Sequence, residues 1–242
     1  MSKVWFTSDL HVGHPKVAQL RANDVGLVTD SAYRTEDEMR ALILEWHDNM
    51  LAARWDAVVA PEDVVWVCGD ISSGTTIGQF KALDWIRARN GDKHLIPGNH
   101  CGPHPLHRDS HKWLPIYLGQ DRPDERVPFK TVQIAAKRRI PLREGHVTAM
   151  LSHFPYTGDH TEEDRYPEWR LPDYGHYVLH GHTHSPEKLS IGGREAKRRG
   201  AALRNKPARI NQIHVGVDAW DYTPVALEQI VEIIQGLDDR EC

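Results

Sequence analysis

Short apolar runs punctuate the first half of the chain, and each stops at a polar motif. Residues 3–8 read as a buried strand that ends at Ser8-Asp9, and Val12-Gly13-His14-Pro15 then marks a loop. Thr35 followed by Glu38 fits a capping box, and Met39, Leu42, Ile43, Trp46 and Met50 recur at helical spacing, which predicts a core-packed helix over 35–51. Residues 64–68 form a second apolar run that stops at Gly69-Asp70. A helix is predicted over 76–89, with Phe80, Leu83 and Ile86 inward, and a third strand over 94–96 ends at Pro97-Gly98-Asn99-His100. Strand, helix, strand, helix, strand is the rhythm of a parallel or mixed sheet, whose strand ends converge on a crevice.

The second half is richer in strands, predicted at 131–136, 147–152, 177–180 and 210–216. Residues 155–175 hold three prolines and many charges and read as a surface loop, as do residues 185–209. Leu227, Ile230, Val231 and Ile234 predict a closing amphipathic helix. With no internal repeat and no Pro/Ser linker, residues 1–242 are expected to form one domain.

Composition adds boundaries. Apolar residues at 40% and charged residues at 26% fit an ordinary soluble globular protein. No apolar run approaches the roughly 18 residues of a membrane span, and the start lacks a signal-peptide core. Three irregularly spaced cysteines, Cys68, Cys101 and Cys242, argue against a disulfide framework and fit a reducing cytoplasm. The net charge of −4 predicts no partner, but Arg194, Lys197, Arg198, Arg199, Arg204, Lys206 and Arg209 face only Glu195, so residues 194–209 carry +6.

The polar motifs carry the chemistry. In order they are Asp9-Leu10-His11, Gly69-Asp70, Gly98-Asn99-His100, His153 and Gly181-His182-Thr183-His184. Carboxylate oxygens and imidazole nitrogens suit manganese, iron and zinc better than magnesium. Asp9 and His11 can face one crevice only if the chain bends between them. Asp70 has two oxygens with which to bridge two ions, and Asn99 offers a neutral carbonyl oxygen.

This ordered set resembles the calcineurin-like metallophosphoesterase superfamily, and the match runs from Asp9 to His184. The ending Val215-Gly216-Val217-Asp218-Ala219-Trp220 is similar to small bacterial and phage members. The resemblance implies an α/β, four-layer α-β-β-α sandwich of two mixed sheets flanked by helices, with a dinuclear metal site at the strand ends. It implies that Asp9, His11 and His184 hold one ion, that Asn99, His153 and His182 hold the other, and that Asp70 bridges together with a water or hydroxide. Attack in line on phosphorus would follow, with His100 neutralising a phosphoryl oxygen or protonating the leaving alkoxide. The family usually has an acidic residue after the G-N-H motif. Here Cys101 stands there, so His100 lacks that orienting carboxylate and has Asp70 or a backbone carbonyl as substitutes.

The leading expectation is therefore a phosphodiesterase with two divalent ions, manganese first and iron or zinc next, acting on small diesters such as 2′,3′- or 3′,5′-cyclic nucleotides. Phosphomonoester hydrolysis is the near alternative. A nuclease would use the basic stretch 194–209 to bind RNA or DNA, and an inactive metal-binding scaffold for a protein partner is the remote one. His14, Arg198 and Arg199 are candidate substrate contacts. His104, His107 and His111 are expected in a solvated loop rather than a third metal site, and His180 beside the ligands or in the core. Trp113, Trp169 and Trp220 are candidates to stack on a base.

Overall fold

The computed structural model describes residues 2–27, 35–192 and 209–241. Arg198 and Arg199, and all but the end of the basic stretch 194–209, lie outside those residues. Chain order is β1 (Val4–Thr7), α1 (Pro15–Asp24), α2 (Glu36–Val58), β2 (Val64–Val67), α3 (Thr76–Ala88), β3 (Asp92–Leu95), α4 (Ser110–Tyr117), β4 (Thr131–Val132), β5 (Ala136–Pro141), β6 (His146–Leu151), β7 (Tyr177–His180), β8 (Leu189–Gly192), β9 (Arg209–His214), β10 (Val225–Ala226) and α5 (Leu227–Glu241).

These elements make two mixed sheets flanked by helices. One has the order β10-β1-β2-β3-β4, the other β5-β6-β7-β9-β8. In the first, β1 through β4 run parallel and β10 pairs antiparallel with β1. In the second, β6, β7 and β9 are parallel, with antiparallel strands at both edges. Strand alternation divides the side chains between two cores. Trp5, Val65, Val67 and Leu95 pack with Leu51 and Trp55 of α2 and Leu83 and Ile86 of α3. Phe6, Trp66 and Cys68 face the other way, against Leu151, Leu179 and Ile213 of the second sheet and Ile230 and Ile234 of α5. No helix among the described residues is long and apolar enough to cross a membrane.

The helix predicted over 35–51 is capped by Thr35 and Glu38 as expected and continues to Val58. Several expectations change. The single strand predicted over 131–136 is two: β4 ends at Val132 in one sheet, and β5 starts at Ala136 in the other. Pro15 does not close a loop but opens α1, whose buried face is Ala18, Arg21 and Ala22. With no large apolar stripe on that face, periodicity gives no signal. β5 was hidden because its exposed positions are Lys137, Arg139 and Pro141, with only Ile140 fully buried. Residues 185–209, read as a loop, contain β8.

Candidate metal centre

Every predicted ligand follows the end of its strand by two to four residues: Asp9 and His11 after β1, Asp70 after β2, Asn99 after β3, His153 after β6, His182 and His184 after β7. All five strands point their ends at one crevice between the sheets. The bend required of the Asp9–His11 pair is present in the backbone. Asp9, His11, Asp70, His182 and His184 are five of the eight non-glycine residues with positive φ among the described residues. Left-handed conformations are costly for residues with a Cβ and gather where a site demands them. Here they turn both residues of D-x-H, and both of H-x-H, toward the same space. Glycine is needed beside them for close approach. A Cβ on Gly181 would collide with Ser8 and Asp9, and one on Gly98 with Asp70 and His153.

Asp9, His11 and His184 form one group of donors within 4.8 Å of one another. The Nδ1 of His11 donates to the Ser72 carbonyl at 3.0 Å, and the Nδ1 of His184 lies 3.1 Å from Asp218 Oδ2. With both Nδ1 atoms so engaged, each ring presents Nε2 inward, and these two nitrogens face one another at 3.1 Å. Two imidazole lone pairs at that distance repel unless a cation or proton stands between them. Burial pushes His11 well below its ordinary pKa, whereas His184, also opposed by burial, is raised by its bond to Asp218.

Asp9, Asp70 and His153 form a second such group, sharing Asp9 with the first. His153 gives its Nδ1 hydrogen to the Cys68 carbonyl at 2.8 Å. Its Nε2 then faces Asn99 Oδ1 at 3.1 Å and Asp70 Oδ2 at 3.4 Å, both acceptors. Burial disfavours a charge on His153, but Asp70 outweighs it and pushes the imidazole up to about 9. Asp70 is held well below the usual carboxylate range: burial opposes its ionisation, and His153 reverses the balance. Inward-facing nitrogens and oxygens thus converge on two positions that favour a positive charge. The donor set fits a pair of divalent cations. His182 stands beside them: its backbone N–H donates to both Asp9 oxygens at 3.1 and 3.0 Å, and its ring centroid is 5.1 Å from that of His153.

The remaining predicted residues sort clearly. His100 donates its backbone N–H to Asp70 Oδ1 at 2.9 Å, and its ring lies 5.5 Å from that of His11. Cys101 faces away from the crevice into the core with Leu83 and Tyr117, and burial raises its thiol to about 12. It is a small buried apolar residue. His14 lies 5.4 Å from His11, at the rim. His104 is not in a solvated loop. It is 1% exposed, packs on Phe154 and Trp169, and is lowered by burial to about 4. His107 bonds the Asn99 carbonyl at 2.9 Å, while His111 is exposed at the start of α4. His180 is buried with its Nδ1 on the Gly181 carbonyl. The candidate stacking rings are engaged within the fold: Trp113 with Phe80, Trp169 with His104, and Trp220 beneath Lys188.

Two supports were not read from the sequence. Arg21, 2% exposed, donates to both oxygens of Asp218 at 2.7 and 3.0 Å, to the Asp9 carbonyl at 2.7 Å and to the Leu10 carbonyl at 3.1 Å. Asp159, in the loop read as surface, lies 2.9 Å from His182 Nε2 and 3.0 Å from each of Arg165 and Arg170. Despite desolvation, these partners hold its carboxyl well below the usual range. That contact engages the Nε2 edge of His182 and leaves Nδ1 on the other edge. Arg165, His160 and the exposed side of α1 join the cluster in enclosing a cavity of about 530 Å³.

Comparison with known proteins agrees with this geometry. A model of the calcineurin-like phosphoesterase family matches residues 2–186. The chain is 44% identical to the Gene 66 protein of Mycobacterium phage L5, covering 100% of this chain and 98% of that one. It is 40% identical to the Gene 66 protein of Mycobacterium phage D29, covering 99% of each. A crystal structure of a protein of unknown function from Aquifex aeolicus shares the fold, with a TM-score of 0.55 and 20% identity over 96% of this chain and 100% of that one. The chain belongs to the calcineurin-like phosphoesterase family, a class of metal-dependent phosphoester hydrolases.

Proposed function

We propose that the chain is a phosphodiesterase acting on small diesters, with cyclic nucleotides as the leading class. The observation that carries the reading is the convergence of inward-facing nitrogen and oxygen atoms: His11 Nε2 on His184 Nε2 at 3.1 Å, and His153 Nε2 on Asn99 Oδ1 at 3.1 Å. Asp9, His11 and His184 would hold one divalent cation and Asn99, His153 and His182 the other, with Asp70 between them. Manganese is the proposed ion, and iron or zinc would suit the same donors. Such a pair, when bound, supplies an acidified water and cancels phosphoryl charge.

The chain's own groups do the rest. Ser72, Cys68, Asp218 and Asp159 fix the tautomer of each inward imidazole, so that no ring must reorient during the reaction. His100, anchored through its backbone to Asp70, is placed to give a proton to the departing alkoxide. The cavity suits a mononucleotide-sized ester. The test is turnover of bis- and mono-(p-nitrophenyl) phosphate by protein loaded with manganese, iron or zinc. Preference for the diester is expected. Faster monoester turnover would select the phosphomonoesterase alternative, and no turnover of either would remove the enzyme reading. In His100→Ala, metal content should persist while kcat falls by about 100-fold, and an unchanged rate would remove His100 from the reaction.

A further inference from the structure

The cavity over the donors has two chemically different walls. On one side Arg165 stands with its side chain 37% exposed, its Nη2 3.3 Å from His182 Nε2 and its Nε and Nη2 on Asp159. Asp159 also receives Arg170 Nη2 and the backbone N–H of Arg165 and His160, so its charge does not depend on Arg165 alone. Arg165 Nη1 takes part in none of these contacts. A guanidinium held by one edge at the mouth of a phosphate site presents its other donors to an anion at little further entropic cost. A separate part of the lining comes from α1, which contributes Val17 and Leu20, one helical turn apart. Leu20 is 53% exposed, and an exposed leucine is ordinary except where it walls a polar cavity. Lys16 and Asp24 flank it with opposite charges, so this wall offers no cationic track for a run of phosphates.

We propose that these walls divide recognition: Arg165 contacts the phosphoryl oxygens, and Val17 with Leu20 receives an apolar or planar organic group, so the site selects small esters bearing such a group. The inference deepens the hydrolase reading and rests on a phosphoryl group sitting at the paired donors. It can be read without turnover, by calorimetric titration of manganese-loaded protein with inorganic phosphate, methylphosphonate and phenylphosphonate, whose C–P bonds are not hydrolysed. The wild type should bind phenylphosphonate more tightly than methylphosphonate. Arg165→Ala should weaken all three by about tenfold, with Arg165→Lys recovering part of the loss. Leu20→Ser should abolish the phenyl preference, a loss of roughly fivefold, and leave inorganic phosphate unchanged. Metal content and melting temperature should be retained in each variant. Undiminished phosphate binding in Arg165→Ala, or lost metal there, overturns the direct contact. A Leu20→Ser effect equal on all three ligands, or absent, overturns the apolar wall. If this binding pattern holds while the wild type hydrolyses no ester, the hydrolase reading fails and the two-wall inference stands.

Discussion

The two halves of the site are supported in opposite ways. Around Asp9, His11 and His184 the supports are interior. Arg21 is buried beneath them and ties Asp218, the Asp9 carbonyl and His47 of α2 together. Around Asn99, His153 and His182 the inner support is a core carbonyl, Cys68, but the outer one is Asp159, in a loop whose Arg165 reaches the mouth of the cavity. In the first half, folding and ligand geometry are one network. In the second, part of the geometry depends on a loop outside both sheets. The first half is accordingly anchored in the core, and in the second the proposed substrate contact and the orientation of His182 share one loop.

The largest expected effect breaks the interior network. Arg21→Met leaves Asp218 buried without its cation, and the removal of one partner from such a pair costs about 3–5 kcal/mol. Urea denaturation of the metal-free protein should show that loss. A change under about 1 kcal/mol would mean that the interior supports are not structural.

Comparing the two acidic supports sharpens the contrast. Asp218→Ala and Asp159→Ala should each weaken metal affinity by about 10–100-fold, because each removes the group that orients a proposed ligand. Only Asp218→Ala should also lower the melting temperature markedly, since it strands Arg21. Equal thermal losses in both variants would erase the distinction drawn between core and loop.

Much of this was legible in the sequence. The proposed ligands stand at the ends of apolar runs because buried strands must stop where polar side chains turn inward, and the D-x-H and H-x-H spacings already required a bend. The supports were not legible. Arg21 meets Asp218 across 197 residues and His182 meets Asp159 across 23, separations at which no local periodicity operates. Arg21 had one faint signal: it lies on the face of α1 made by Ala18 and Ala22, where small residues leave room for a long buried side chain. The interruption between β4 and β5 was likewise unreadable, because both pieces continue one extended pattern and only tertiary pairing assigns them to different sheets.

The last effect, at most about tenfold for each pH unit, concerns pH. His153 is raised to about 9 in the metal-free chain from an ordinary 6.5. A raised histidine contributes stability that is fully present below pH 6.5 and is lost as pH rises through its folded value. A cation bound at His153 displaces that proton, so the apparent affinity of the second half should rise by up to tenfold per pH unit between about 6.5 and 9, then level off. His153→Ala should flatten the rise. An affinity independent of pH across that window would contradict the proton–cation exchange.

The central claim is that seven residues make one two-cation centre with Asp70 between its halves. The most direct measurement is metal per chain, by elemental analysis after dialysis, in the wild type and in Asp70→Asn, together with ester turnover. The account predicts two divalent ions per wild-type chain, fewer in Asp70→Asn, and turnover reduced at least about 1,000-fold in the variant. Two ions and full turnover retained in Asp70→Asn, or a wild type that holds none, would contradict it.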